Sequence, residues 1–153
     1  MIYAKVTMAN LKLTQASVII DTAIAEARKQ NFAPLAIAVL DAGGNLIAFK
    51  REDGAGILRF DIAYGKAWGA LGMGFGTREL AERATRSPTF VAALSAISHG
   101  RMVPSPGGVL IVGADKEVVG AVGISGDTGD NDEACAIVGI EAVGLSAIPG
   151  RNE

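Results

Sequence analysis

The chain has 153 residues, half of them apolar, and a net charge of −2 with no basic block, so one domain with a real core is expected and a nucleic-acid surface is not. One cysteine, Cys135, excludes an internal disulfide and suits the cytoplasm, and one histidine, His99, excludes a multi-histidine metal site within one chain. No apolar run reaches the roughly 18 residues of a membrane span, and the first residues do not read as a signal peptide, so no membrane partner is expected.

Met1 to Met8 alternates weakly, as a short strand would. Leu13 to Gln30 reads as a helix capped by Thr14, with Ala16, Ile19, Ile20, Ala23, Ile24 and Ala27 at helical spacing. Leu35 to Leu40 and Leu46 to Lys50 flank the turn Asp41-Ala42-Gly43-Gly44-Asn45 and form a hairpin. Leu58 to Met73 is a second helix, on which Gly65, Gly69 and Gly72 would let a neighbouring backbone approach. Short helices follow from Thr77 to about Ala84 and from Ser87-Pro88 to His99-Gly100, since proline suits a first turn and glycine an exit. Val109 to Val112 and Val118 to Ile124 make a second hairpin, and a last helix is expected from Asn131 to Ser146. Hairpins dominate, so the sheet should be largely antiparallel with helices packed on it, in one domain.

The joint before the last helix carries Asp127, Asp130, Asp132 and Glu133. Asp130 and Glu133 have capping-box spacing, and Asp132 would gain from the helix dipole. Beyond it, Ile137, Glu141 and Leu145 share one stripe, and Ala136, Ile140, Val143 and Ala147 a second. A helix apolar on two sides expects burial on both, so one side should meet another subunit and the chain should form a homo-oligomer.

Few motifs carry chemistry on their own. "GMGFGT", Gly72 to Thr77, follows a helix and lacks the dinucleotide spacing, and neither a Walker A pattern nor a nucleophile elbow exists. His99 fits an axial ligand to haem iron, a proton shuttle, or simply a helix-terminal side chain bonded to free carbonyls. Met102 is a second soft donor or a core residue. Lys66 and Arg51 are the cations that would hold an acidic ligand, with solvated surface groups as the alternative. "VPSPGG", Val103 to Gly108, either exposes the amides of Gly107 and Gly108 to an anion or serves as a plain connection.

Taken together, "VLDAGGNLIAFKREDGA", "DIAYGKAWGAL", the "PGG" before a strand and "GAVGISGDTGDNDEACAIVGI" resemble the GlcG/HbpS-like family, which includes the C-terminal domain of PduO-type proteins. The resemblance spans residues 12 to 147 in the right order. It implies an α/β (α+β) sandwich with a five-stranded antiparallel sheet and helices on both faces, and homo-oligomers that are often octamers. It also implies haem binding in some members, and in others a place in gene clusters for hydroxy acids, diols or aromatic breakdown. HbpS-type members are secreted, whereas this chain lacks their leader. The family more often reads Gly-Gly-Thr and then Glu-Gln-Asp-Glu where this chain has Asp127-Thr128 and Asp130-Asn131-Asp132-Glu133, which suggests a subgroup.

Two functions compete at this level. One is a small ligand-binding accessory protein in catabolism or haem and redox handling, holding haem with His99, Met102, Arg51, Gly107 and Gly108. The other is a small enzyme on a hydroxy or keto acid. There Lys66 or Arg51 would grip the carboxylate, and Asp132 or Glu141, its pKa raised by burial, would move a proton.

Overall fold

The computed structural model describes residues 11–151, so the strand expected over residues 1–8 lies outside the described residues. Helix α1 (Leu13–Lys29) buries Ala16, Ile19, Ile20, Ala23 and Ala27, the stripe its spacing predicts. It starts two residues earlier than a Thr14 cap would place it. Lys12 is the N-cap, and its backbone N–H donates to Gln15 Oε1 at 3.0 Å, which leaves Thr14 inside the first turn. Strands β1 (Ala36–Asp41) and β2 (Leu46–Arg51) form the first hairpin, closed by Asp41 Oδ1 accepting from the amides of Gly43 and Asn45. Helices α2 (Arg59–Met73), α3 (Thr77–Arg86) and α4 (Pro88–Ile97) follow. The second hairpin is β3 (Gly108–Val112) with β4 (Val118–Ser125), and α5 (Gly129–Ala142) and β5 (Ser146–Ile148) end the fold.

The sheet has the order β2-β1-β4-β3-β5, and every neighbouring pair is antiparallel. Side chains alternate across it. Ile37, Val39, Val109, Ile111, Val122 and Ile124 pack on α1 and α5. Ala36, Ala38, Leu40, Leu110 and Ala121 point the other way, onto α2. This is the α+β sandwich with helices on both faces. The α3–α4 pair packs beyond the end of α2, where Leu80, Val91 and Met102 form a small core of their own with Trp68 and Met73.

The last helix is shorter than its sequence suggests. It stops at Ala142, because Gly144 takes φ 74° and turns the chain back so that Ser146–Ile148 pairs with β3. Its stripe of Ala136 and Ile140 faces the protomer's own core, both fully buried. Among the described residues no helix is long and apolar enough to cross a membrane.

Candidate functional site

The acidic joint folds around a buried ion pair. Lys66 comes from the middle of α2 and Asp132 from the first turn of α5, and both are almost wholly buried. Lys66 Nζ donates to Asp132 Oδ2 at 3.2 Å and to the Ile124 carbonyl at 2.8 Å, while Asp132 Oδ1 accepts from the Asp127 amide at 3.0 Å. Burial outweighs the mutual attraction of the pair. It pushes Lys66 below and Asp132 above their ordinary ranges. The "PGG" turn closes the same joint. Gly107 has φ 120°, and a Cβ there would stand 2.9 Å from both Lys66 Nζ and the Ile124 oxygen. Gly108 lies against the Lys66 carbonyl and donates its amide to Thr77 Oγ1 at 2.8 Å. The Gly108 amide is therefore spent inside the protein.

The other acids of the joint are also engaged. Thr128, not Asp130, caps α5, its Oγ1 accepting from the Asn131 amide at 3.2 Å. Asp130 and Glu133 instead share the Arg78 guanidinium from α3, so the expected capping box is absent. Asp127 accepts from the amides of Ala33 and Thr128 and from Asn131 Nδ2, which holds its carboxyl below the usual range. Nearby, Glu79 is ringed by Arg83, Arg86 and Arg151, and hydrogen bonds from Arg151 and Arg83 pull its pKa down to about 2.

A second region is built by glycines on α2. Gly65 and Gly69 lack the side chains that would otherwise strike the Arg101 carbonyl and the Met102 sulfur. The segment after α4 therefore lies flat along the helix, as the glycine spacing predicts. Met102 is pinned there by its amide, which donates to Ser98 Oγ at 3.2 Å. The result is an apolar crevice of about 180 Å³, walled by Trp68, Met73, Leu94, Ile97 and Met102. A second crevice of about 210 Å³ lies under the β1–β2 turn, against Ala42, Gly43, Gly44 and Leu71. Trp68 and Gly72 line both. The Arg101 guanidinium covers the Trp68 ring at 3.8 Å.

The candidates thus divide. Lys66, Asp132, Gly107 and Gly108 meet in the buried joint, and neither Lys66 nor Asp132 lines either crevice. Met102 enters the wall of the apolar crevice. His99, exposed and at φ 55°, follows Ser98, which lines that crevice. Arg51 is exposed at the end of edge strand β2, outside both regions. Glu141 is exposed and lies nine residues along α5 from Asp132, about 13 Å at 1.5 Å per residue, so the two cannot share a proton. Trp68 and Arg101 were missed. Their signal was the glycine spacing of α2, which announces a close neighbour without naming it.

The chain matches the family described as haem degrading protein HbpS-like over residues 11–141. An uncharacterized 15.0 kDa protein in the dhaT-dhaS intergenic region of Citrobacter freundii is 32% identical over 103 residues, which is 67% of this chain and 71% of that protein. Among solved structures, a double mutant of Streptomyces reticuli HbpS is 30% identical with a TM-score of 0.76, covering 91% of this chain and 90% of that one. Klebsiella pneumoniae ORFY is 26% identical with a TM-score of 0.80, covering 94% and 98%. PduOC in its heme complex has a TM-score of 0.82 over 94% of this chain and all of that one, and at 24% identity the likeness shows the fold alone. By its sequence and its fold, the chain belongs to the HbpS-like family.

Proposed function

We propose that this chain is a small haem-binding accessory protein that works as a cytoplasmic homo-oligomer, an octamer in the arrangement the family resemblance implies. The observation that carries the reading is the apolar groove with a thioether, Met102, in its wall and an imidazole, His99, next to it in the chain. A His and Met pair is a known way of holding haem iron. Two HbpS-like neighbours support the reading by name, since one structure is a heme complex and another is HbpS.

The fit sets its own limits. Each crevice is smaller than the roughly 300 Å³ at which ligand pockets usually begin, so a macrocycle would lie over the groove, partly exposed and weakly held. Bound haem would supply one-electron and oxygen chemistry at its iron. The chain's own part is to wall the ring with Trp68, Met73, Leu94 and Ile97 and to offer His99 or Met102 as a donor. Ile57 and Leu58, 86% and 66% exposed, provide apolar surface that assembly would cover.

The test is a haemin titration followed by visible absorption. A Soret band should form, shift in His99→Ala and shift again in Met102→Leu. A band that both variants leave unchanged would overturn the donor assignment, and no band at all would overturn the haem reading. A solution mass showing only monomer would overturn the assembly.

A further inference from the structure

Arg101, stacked on the Trp68 wall of the groove, is left without a task by the haem reading. Its side chain is held twice. Nε donates to the Ser98 carbonyl at 2.9 Å, and the guanidinium lies over the Trp68 ring at 3.8 Å. Its terminal nitrogens make no hydrogen bond among the described residues, although the side chain is fixed and exposed. The two cations beside the joint are paired with carboxylates, and Arg59 gives one nitrogen to a hydroxyl. Lys66 serves Asp132, Arg59 donates to Ser125 Oγ at 3.0 Å, and Arg78 serves Asp130 and Glu133. A planar guanidinium with its fork free and its plane fixed is pre-organised for a carboxylate. The ring beneath it is the shared wall of both crevices.

We infer that Arg101, held flat on Trp68, forms a carboxylate-reading site, in which Arg101 takes an acidic substituent of a flat aromatic ligand whose ring rests on the apolar wall beside Trp68. This deepens the haem reading, on which it rests for the identity of the ring, and adds a requirement that apolar walls alone would not impose. The ligand must bear a free carboxylate. A porphyrin with its propionates esterified should lose the Arg101 contact and keep the apolar ones. Metal has no part in this selection, so a metal-free porphyrin dicarboxylate should read Arg101 as haemin does.

Trp68 is the only tryptophan of the chain, so its fluorescence reports this site directly. The experiment titrates the full chain with haemin, with protoporphyrin IX and with the dimethyl ester of each, following Trp68 quenching and the Soret region together. Both acids should quench Trp68 and bind on the order of tenfold tighter than their esters, as a charge-assisted pair at a partly exposed site should give. Arg101→Gln should abolish the preference for acid over ester, and Arg101→Lys should restore part of it, since charge returns without the planar fork. Equal binding of acid and ester, or an unchanged preference in Arg101→Gln, overturns this inference and leaves the haem reading intact. Quenching by both acids with no His99- or Met102-dependent change in the haemin spectrum keeps this site and overturns the haem-ligand assignment. No quenching by any of the four overturns both.

Discussion

The joint around Asp132 and the groove around Trp68 sit at opposite extremes of charge and access. The joint gathers Lys66, Asp132 and Asp127 where water does not reach Lys66 or Asp132, and every group there has a partner. The groove is apolar and open, and the cation at its lip has a partly unused fork. Buried charge marks the place that must not move, because each ion inside the fold is satisfied only by one arrangement. Open apolar surface with a spare donor marks the place that meets a ligand. The sequence reading leaves both assignments open, since it gives the acids of the joint a capping role and, in the enzyme alternative, makes Asp132 a proton carrier.

The comparison breaks first at Asp132. Replacing it with Leu leaves Lys66 as an unpaired buried cation, a change that costs about 3–5 kcal/mol in buried pairs. Urea unfolding should show this loss, and Lys66→Met combined with Asp132→Leu should recover part of it. The recovery stays partial because the Asp127 amide also loses its acceptor. If Asp132→Leu unfolds at the wild-type midpoint, the joint is not the structural anchor described here.

In the groove, Met102→Ala should cost about 2 kcal/mol, near the low end for a large-to-small core change because the side chain meets open surface on one side. Met102→Leu should cost less than about 1.5 kcal/mol. Both variants should weaken haemin, whereas Asp132→Leu should leave affinity unchanged in whatever fraction stays folded. Equal loss of affinity from the two regions would erase the distinction between them.

A pH-dependent effect separates a third cluster from both. The Glu79 carboxyl sits at about 2 in the folded chain against an ordinary 4.5, so its arginine ring adds stability above about pH 4.5. That contribution falls away as pH drops through 2, because the unfolded state then takes up the proton first. The urea midpoints of wild type and Glu79→Gln should differ at pH 6 and converge as the pH falls toward 2. A constant gap would mean that packing, not charge, holds Arg83, Arg86 and Arg151 there.

Much of the fold was legible because its signals are local. Asp41 to Asn45 names a turn, Ser87-Pro88 a helix start, and Gly65 with Gly69 a close neighbour on α2. What failed was long-range or settled by a single turn. Nothing in a list of residues pairs Lys66 with an acid 66 positions away, or lays Arg101 over Trp68. Strand β5 is three residues long and follows a left-handed glycine, too short for any period to show. Helix periodicity reveals two apolar faces on α5 without saying which the same chain covers, and the fold buries the one that carries Ala136 and Ile140.

The smallest expected effect concerns the cap of α5, where reading and structure differ by two residues. Capping-box spacing points to Asp130, whereas the structure places Thr128 at the N-cap with its hydroxyl accepting from the Asn131 amide. A first-turn amide that loses its side-chain acceptor costs stability, so Thr128→Ala should lose about 1 kcal/mol. Asp130 holds only Arg78, and both side chains are substantially exposed, so that solvent and the retained Arg78–Glu133 pair soften its loss. Asp130→Ala should therefore cost under about 0.5 kcal/mol. The two variants are measured side by side by thermal or urea unfolding, at low and at high salt. Only the Asp130 effect should shrink with salt, because it is the exposed charge pair that is screened. If Asp130→Ala proves the costlier of the two, the cap belongs where the capping-box pattern put it and the Arg78 contact is secondary.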